Sequence, residues 1–262
     1  MKIGIFIPTK APLRLGSVIQ NTSQKSIIMK TLYATVLLFL LPLLGKAQLD
    51  YWQGGVFVGL SAYSGDVNPT ASPDLSEASL SFGMVGQAYI SSKLGFRGSL
   101  IYANLTGDDR NYVQRADRNF RFNTNVFELS MVAEWEPFGS NRYFADARGK
   151  VVMDRLVSPY LFTGIAVGLA TLDTDFSDYD GNSQTIINGI REDRTIGNST
   201  TFFSIPIGAG VKFDITQKIT LALEGSGRIS FSDYLDGISA AAGTGNDLYF
   251  TGGLIAYYRF TQ

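Results

Sequence analysis

The residues that could do chemistry in this sequence are carboxylates and their cationic partners, because its 262 residues include neither histidine nor cysteine. That absence excludes thiolate nucleophiles, Ser-His catalysis, disulfides and the usual zinc sites. The densest group of carboxylates is the run DTDFSDYDGN at 173–182. Clustered oxygens suit Ca²⁺, but an EF-hand loop with Gly181 at its sixth position would begin at Phe176 and end at Ile187, and neither residue can bind the ion as required. We therefore expect 172–201 to form an acidic surface loop, and we expect no metal, cofactor or catalytic residue.

A second set of charged residues occupies alternate positions in otherwise apolar segments. The clearest segment is 219–232, in which one parity reads Ile, Leu, Leu, Gly, Gly, Ile, Phe and the other reads Thr, Ala, Glu, Ser, Arg, Ser, Ser. Period-two alternation predicts a β-strand with one apolar face and one polar face. Similar segments occur at 51–63, 79–90, 94–105, 125–137, 160–171, 202–213 and 248–260, which makes eight.

Two architectures accommodate such strands. A soluble sandwich or lipocalin-like barrel places the apolar faces inside, whereas a membrane barrel turns them towards lipid. Segments of this length match the roughly 9 to 11 residues that a tilted strand needs to cross a bilayer, and they exceed the ~5 or 6 residues typical of soluble strands. We therefore predict an all-β fold, an eight-stranded antiparallel up-and-down transmembrane β-barrel.

The connections between these segments alternate in length. Those at 64–78, 106–124, 172–201 and 233–247 are long, whereas those at 91–93 and 214–218 are short. Outer-membrane barrels show the same alternation of long extracellular loops and short periplasmic turns. The connection 138–158 is long on the predicted periplasmic side, and its four basic and two acidic residues give it a net charge of +2. It is either an ordinary solvated turn or a docking element for a periplasmic partner.

The polar faces of the strands predict a filled interior. An eight-stranded barrel is just wide enough for side chains to fill it, so it is normally a plug rather than a pore. Charges that point inward there must be paired or hydrated. By parity these are Arg97, Glu128, Glu134, Lys212, Glu224 and Arg228, and we predict an ion-pair network without a catalytic role. Aromatic side chains near the periplasmic strand ends are expected at the headgroup level. They are Tyr51, Trp52, Trp135, Phe138, Tyr160, Tyr258 and Phe260.

The N-terminal region predicts export. Met29-Lys30, an apolar run at 31–44 and the small residues Gly45 and Ala47 are the three parts of a cleaved signal peptide at 29–47, which makes 1–28 an overlong start and 48–262 the barrel domain. Cleavage removes six of the 22 basic residues and none of the 23 acidic ones, so the mature charge is 16 − 23 = −7. Nucleic acid is therefore excluded as a partner. We expect the mature protein in the outer membrane, with its lipid as the main partner.

Several strings give the mature chain a family resemblance. They are YSGD at 63–66, RNFRF at 118–122, FELS at 127–130, SPYLFTGI at 158–165, IPIGAGVK at 205–212 and DYLDGIS at 233–239. With these strings the chain resembles the eight-stranded outer-membrane barrel family of the Bacteroidetes that includes a component of the type IX secretion and gliding machinery. The most specific string places Asp233, Tyr234, Leu235 and Asp236 where a strand end enters a loop.

The resemblance implies a non-enzymatic outer-membrane barrel that acts as a scaffold or accessory component of type IX secretion, with periplasmic secretion-ring lipoproteins as partners through 138–158. A general surface barrel whose acidic extracellular loops bind a ligand or partner is an alternative. A small pore is a second alternative.

Overall fold

The computed structural model describes residues 51–65, 67, 75–112, 118–139, 143–145, 151–153, 156–179, 181–232, 234–241 and 247–260. The predicted signal segment 29–47 and the stretch 1–28 lie outside these described residues. Within the described ranges, no helix is both long enough and apolar enough to cross a membrane.

The described residues form ten strands and one α-helix. In chain order they are β1 (Tyr51–Ser64), β2 (Ser79–Tyr89), β3 (Leu94–Asp108), β4 (Arg121–Trp135), β5 (Tyr143–Ala145), β6 (Val151–Met153), β7 (Val157–Asp175), α1 (Gln184–Ile196), β8 (Ser199–Asp214), β9 (Ile219–Ser230) and β10 (Leu248–Phe260). Eight strands close into a barrel in the order β1-β10-β9-β8-β7-β4-β3-β2, and every neighbouring pair is antiparallel. The predicted eight-stranded antiparallel barrel is therefore confirmed.

The outer face of the barrel is apolar. The polar parity of β9 is buried inside, while Leu221, Leu223 and Ile229 point outward, and Leu223 is 54% exposed. The same division holds on the other barrel strands, and among the described residues no Lys, Arg, Asp or Glu points outward within this apolar belt. On β4 the belt runs from Phe127 to Trp135, which is about 27 Å along the strand and about 21 Å along the barrel axis at a tilt of ~40°.

The strands extend further at the end with the long loops than the sequence predicted. β4 begins at Arg121 instead of 125, β7 ends at Asp175 instead of 171, and β8 begins at Ser199 instead of 202. Above the belt the outward residues of these strands are polar, so the apolar alternation stops while the backbone ladder continues. The polarity pattern therefore reports the extent of the apolar belt and underestimates the length of the strands.

The extended strands carry their outward polar residues in register. The cross-strand row Tyr102, Phe127 and Leu169 is the last apolar one. The next row is neutral and polar, with Asn104, Asn125 and Thr171, and the outermost row is charged, with Asp108, Arg121 and Asp175. Each step of two residues is about 6.6 Å along the strand. The row between the neutral row and the outermost row consists of Thr106, Asn123 and Asp173, so β7 becomes charged one row earlier than β3 and β4.

One expected aromatic anchor is misplaced. Tyr160 is 1% exposed and points into the barrel, where its hydroxyl donates to Glu224, so its prediction as a headgroup-level residue is wrong. It follows the inward parity of β7, which the sequence showed poorly because both parities of that segment carry apolar residues. Trp52, Trp135 and Tyr258 are exposed near the short-turn end, as expected.

The connection predicted to be an acidic loop contains a helix. β7 extends to Asp175, and α1 occupies most of the remaining segment before β8. Ile186 and Ile190 are one turn apart, and Asp193 follows on the same face, which is the face that packs against the barrel mouth. The helix ends at Gly197, whose positive φ of 94° suits a residue without a β-carbon.

Candidate functional site

All six charged residues that the sequence predicted to point inward lie in the barrel interior. Each of them is at most 7% exposed. Arg97, Glu134, Lys212 and Glu224 lie together in the half of the interior nearer the short turns, and Glu128 pairs with Arg228 separately. The strands position them by alternation, because each occupies an inward parity between outward apolar neighbours.

Lys212 is the most enclosed cation. Its ammonium group forms ion pairs with Glu134 and, at 2.7 Å, with Glu136. It also lies 2.6 Å from the hydroxyl of Tyr89 and 3.2 Å from the side-chain oxygen of Gln87. The lysine is 0% exposed, so two carboxylates and two neutral oxygens replace its hydration shell.

Arg97 forms a second centre of charge in this half of the interior. Together with Lys212 and the carboxylates of Glu134, Glu136 and Glu224 it makes up what we call the charged cluster. Its Nη1 atom is 2.6 Å from Glu224 Oε2 and 3.5 Å from Glu134 Oε2, so one guanidinium serves two carboxylates. The guanidinium carbon lies 4.5 Å from the ring centre of Phe162, where a cation–π interaction adds to the ion pairs. Glu224 also accepts a 2.7 Å hydrogen bond from Tyr160.

Glu128 and Arg228 form the remaining pair, at 3.4 Å. Tyr249 donates to Glu128, and Arg228 donates to Ser226 and Thr251. Each charge thus has a partner on another strand. In the described ranges no group of three or more Asp or Glu side chains is arranged to hold a metal ion. The arrangement can neutralise and fill the interior, and it offers no cleft with an acid and a base facing a substrate.

The half of the interior nearer the long loops is apolar. Sixteen buried residues form one cluster there, which we call the loop-end cluster. They are Tyr63, Val67, Ala103, Leu105, Phe120, Phe122, Val126, Ala170, Leu172, Phe176, Ile190, Phe202, Leu235, Ile238, Ala241 and Tyr249. Leu235, Ile238 and Ala241 come from the loop between β9 and β10, and Ile190 comes from α1. We call α1 and residues 234–241 together the cap, because their side chains complete this cluster.

The family-motif residues belong to the cap. Leu235 and Asp236 are fully buried, while Asp233 lies outside the described residues. The hydroxyl of Tyr63 of β1 lies between the carboxylates of Asp236, at 2.7 Å, and Asp247, and shares its one hydrogen between them. Asp247 also accepts a hydrogen bond from the backbone N–H of Leu235 at 2.8 Å. The motif therefore fastens the loop to the barrel wall.

Tyr234 lies on the outer side of the cap. Its hydroxyl donates a 3.0 Å hydrogen bond to Asp193 of α1. Burial, followed by this hydrogen bond and the negative charge of Asp193, raises the pKa of Tyr234 above its ordinary value. The hydroxyl consequently stays protonated and donating throughout the neutral range.

Residues 30–256 match a family described as a domain of unknown function, DUF6089. The chain belongs to this family. No curated protein matches the sequence. Among solved structures, Ail, the attachment invasion locus protein of Yersinia pestis, is 16% identical over 80% of this chain and 99% of its own, with a TM-score of 0.41. Neisserial surface protein A is 13% identical over 80% and 97%, with a TM-score of 0.41. A major outer membrane protein from Thermus thermophilus is 14% identical over 80% and 99%, with a TM-score of 0.43.

The predicted ion-pair network of this DUF6089 chain lacks several interior residues, among them Glu136, which the sequence places on the polar face of its segment. Glu136 follows β4 at the inward position after Glu134, and Arg259 of β10 lies 3.4 Å from Asp214 of β8. Both residues follow the same alternation as their neighbours. Extending the inward parity to the end of each predicted segment would have identified them.

The predicted docking connection contains a two-stranded ribbon. β5 pairs with β6 from Tyr143–Met153 to Ala145–Val151. The charged residues that motivated the prediction, Arg142, Asp146, Arg148, Lys150, Asp154 and Arg155, lie outside the described residues. The DUF6089 barrel thus adds a small hairpin at the end where its other connections are four-residue turns, at 90–93 and 215–218.

Proposed function

We propose that this protein spans the bacterial outer membrane as a closed, non-conducting barrel and acts as a scaffold. The observation that carries the proposal is the outward apolar belt. Large apolar side chains such as Leu80, Met84 and Ile165 are 71%, 63% and 64% exposed, which a water-soluble barrel would not favour over so wide a surface. A hydrocarbon environment accounts for the belt, and closure of the strand ladder satisfies the backbone within it.

The ordered rows above the belt support the same environment. Tyr102 lies at the upper edge of the belt and donates a 2.5 Å hydrogen bond to Asn125 in the neutral row. Asn104 donates to Asn123 at 2.6 Å and to Asn125 at 3.0 Å. A neutral polar row above an aromatic residue matches the headgroup region, and a charged row above it matches water. The long-loop end then faces the outside of the cell, as in other outer-membrane barrels.

The closed interior supports scaffolding over transport. The charged cluster and a second buried apolar cluster, which includes Phe57 and Ile255, fill one half of the interior, and the loop-end cluster fills the other. A solute would therefore have to displace both paired charges and packed apolar side chains. An enzymatic role has no support in the interior because its carboxylates are engaged by Arg97, Lys212 and Arg228. The outer surface and the two rims remain as the parts through which the protein can act.

The finer role that we propose is an accessory scaffold of type IX secretion. Its support is the resemblance of the strings at 158–165, 205–212 and 233–239, which occupy the start of β7, the middle of β8 and the wall-fastening part of the cap. The hairpin of β5 and β6 supplies a periplasmic element for secretion-ring lipoproteins.

Membrane location is tested by fractionation followed by a heat-shift gel, in which a folded barrel migrates differently before and after boiling. We expect the protein in the outer-membrane fraction with a heat-dependent shift. Recovery in the soluble fraction would refute the membrane proposal. The secretion role is tested by deleting the gene and comparing secreted proteins. An unchanged secretome would refute that role while leaving the membrane location intact.

The contact with secretion-ring lipoproteins is tested by co-purification. A chain with residues 140–155 replaced by a short turn should lose the lipoproteins, whereas a chain with a substituted outer loop should retain them. Retention by both variants would show that the hairpin is not the docking element.

A second candidate function is binding of an extracellular ligand by the loops. The charged outer row favours it, because Arg121 bridges Asp175 and Asp178 at 3.0 and 2.7 Å and holds their carboxylates on an exposed wall. If this function is correct, substitution of Arg121 would change the amount of extracellular ligand that the cells bind, while the set of secreted proteins stays normal.

A further inference from the structure

The two parts of the cap, the loop residues 234–241 and α1, differ in how they are bonded to the barrel wall. The loop residues 234–241 are fastened to the barrel wall, because Tyr63 donates to Asp236 and Thr174 donates to the Asp236 carbonyl at 2.7 Å. Among the described residues α1 makes no hydrogen bond to the wall, and its Arg194 lies over the ring of Phe176, just after β7, at 5.7 Å from the ring centre. The hydrogen bonds that α1 makes outside the helix go to the loop of the cap and are all made by Asp193, through its carboxylate and, at 3.3 Å, through its backbone carbonyl.

Asp193 is the residue that joins α1 to the loop, and it is 4% exposed. Its carboxylate accepts hydrogen bonds from three successive backbone N–H groups, those of Ser239 at 3.4 Å, Ala240 at 3.0 Å and Ala241 at 3.1 Å. The hydroxyl of Tyr234 adds a fourth at 3.0 Å. Successive N–H groups that converge on one anion form a nest, which holds a carboxylate by partial positive charge without a cation. The contact depends on the negative charge of Asp193.

A residue with the backbone freedom of a hinge lies next to this contact. Gly197 joins α1 to β8 with φ 94° and ψ 174°, and a β-carbon added there would meet no atom within 4 Å. At the other end, the N-cap residue Ser183 makes no side-chain hydrogen bond to the helix. A few loop or terminal residues that absorb backbone rotation are the usual hinge of a moving element.

The surface beneath α1 is apolar. Ile190 of the helix enters the loop-end cluster beside Phe176, and Gly189 lies so close to the loop that an added β-carbon would be 2.4 Å from the Ala240 carbonyl oxygen. Rotation about Gly197 would withdraw Ile190 from the cluster to which Ile238 also belongs, and it would uncover Ala241, against which Gly189 lies.

We propose that α1 is a hinged lid over the apolar half of the barrel interior, that Gly197 is its hinge, and that the Asp193 carboxylate is the latch that closes it. When the latch is released, the helix swings away while the loop 234–241 stays fastened to the wall. The opened mouth then exposes the apolar, aromatic-lined loop-end cluster to the outside. This device is independent of the proposed secretion role, since it concerns the opposite end of the barrel.

The first test is hydrogen exchange on the folded barrel in lipid nanodiscs. We expect the amides of 239–241, which donate to Asp193 and which we call the lid amides, to exchange at least ~100-fold faster than those of β9, because movement of α1 releases them without barrel unfolding. D193N should accelerate the lid amides by a further ~10-fold or more and leave β9 unchanged. The control is E192Q, which alters an exposed neighbouring carboxylate and should change neither. Lid amides as slow as those of β9 in the wild-type chain would overturn the proposal.

The second test uses the absence of cysteine in the sequence. A single I238C substitution places a thiol beneath the lid, and A222C places one inside the lower half of the barrel. A water-soluble thiol reagent should label I238C slowly, and about 10-fold faster when D193N is added, whereas A222C should stay unlabelled with and without D193N. If D193N exposes both sites equally, the latch substitution unfolds the barrel and the lid is refuted. If it exposes neither, Asp193 is not a latch.

Discussion

Removing Arg97 should destabilise the barrel more than removing its closest partner, Glu224. In R97M the carboxylates of Glu224 and Glu134 both lose their shared guanidinium in a site that is closed to water. Breaking a buried ion pair from one side costs about 3 to 5 kcal/mol. In E224M the guanidinium keeps Glu134 at 3.5 Å and the ring of Phe162 at 4.5 Å, so we expect the smaller loss of about 1 to 3 kcal/mol.

The double variant R97M/E224M distinguishes the contribution of the ion pair to stability from that of side-chain packing. It removes both charges and supplies two apolar side chains of similar length, and such replacements of a whole buried pair are often nearly neutral. Tyr160 still loses its acceptor, which costs about 1 kcal/mol. We therefore expect the loss of unfolding free energy in the double variant to be at least ~2 kcal/mol smaller than the sum of the losses in the two single variants.

The assay is urea unfolding from lipid vesicles, followed by tryptophan fluorescence. Trp52 and Trp135 are both half-exposed on the outer face near the short-turn end, so their emission should shift when the barrel leaves the bilayer. The heat-shift gel serves as a control that each variant starts as a folded barrel. The reasoning is refuted if R97M costs no more than E224M, or if the two losses add in the double variant.

The apolar belt, the closed interior and the cap can each be tested separately. L223R should cost roughly 2 to 4 kcal/mol more than L223A in the same unfolding assay because it places a cation in the apolar belt, whereas N123R above the belt should cost less than about 0.5 kcal/mol; equal costs would contradict a lipid-facing belt. In planar bilayers the wild-type protein should show no stepwise conductance. Among interior variants, R228A should be the most prone to channel openings, because it removes a paired charge from the middle of the interior. Steady channels in the wild-type protein would refute the closed interior. Folding raises the pKa of Tyr234, so the difference in unfolding free energy between the wild-type chain and Y234F should be constant below about pH 10, which is the pKa of tyrosine in the unfolded chain. The difference should shrink as the pH rises through the pKa of Tyr234 in the folded chain. A difference that disappears on acidification instead would contradict the donor role of this hydroxyl.

The sequence predicted which side chains face inward because that choice is made locally. Each strand residue faces either outward or into the interior, so the alternation of Leu221, Leu223 and Ile229 with polar residues is sufficient to assign both faces of β9. It could not predict which charges meet. Lys212 of β8 and Glu134 of β4 lie on strands that are not neighbours in the sheet, and their contact across the interior depends on how far the strands are staggered around the barrel.

The cap could be predicted only in part. The helix had local signals, with Ile186 and Ile190 one turn apart and Gly197 at its end, but its acidic surroundings favoured a loop. The docking of Asp193 on residues 239–241 spans 46 to 48 positions of sequence, and no local pattern specifies such a contact. The resemblance drew attention to Leu235 and Asp236 as a motif, whereas their role in fastening the loop required the position of Tyr63.

The pairing of β1 with β10 has a consequence for how the protein is made. The first and last strands of the barrel meet over thirteen residue pairs, from Trp52–Phe260 to Ser64–Leu248, and these partners are separated by most of the polypeptide. The cylinder therefore cannot seal until β10 has been synthesised, and until then β1 retains an unpaired edge with apolar side chains, which favours aggregation. A nascent or truncated product without β10 would therefore expose apolar surface and an unpaired strand edge, which are the features that make a folding intermediate prone to aggregation.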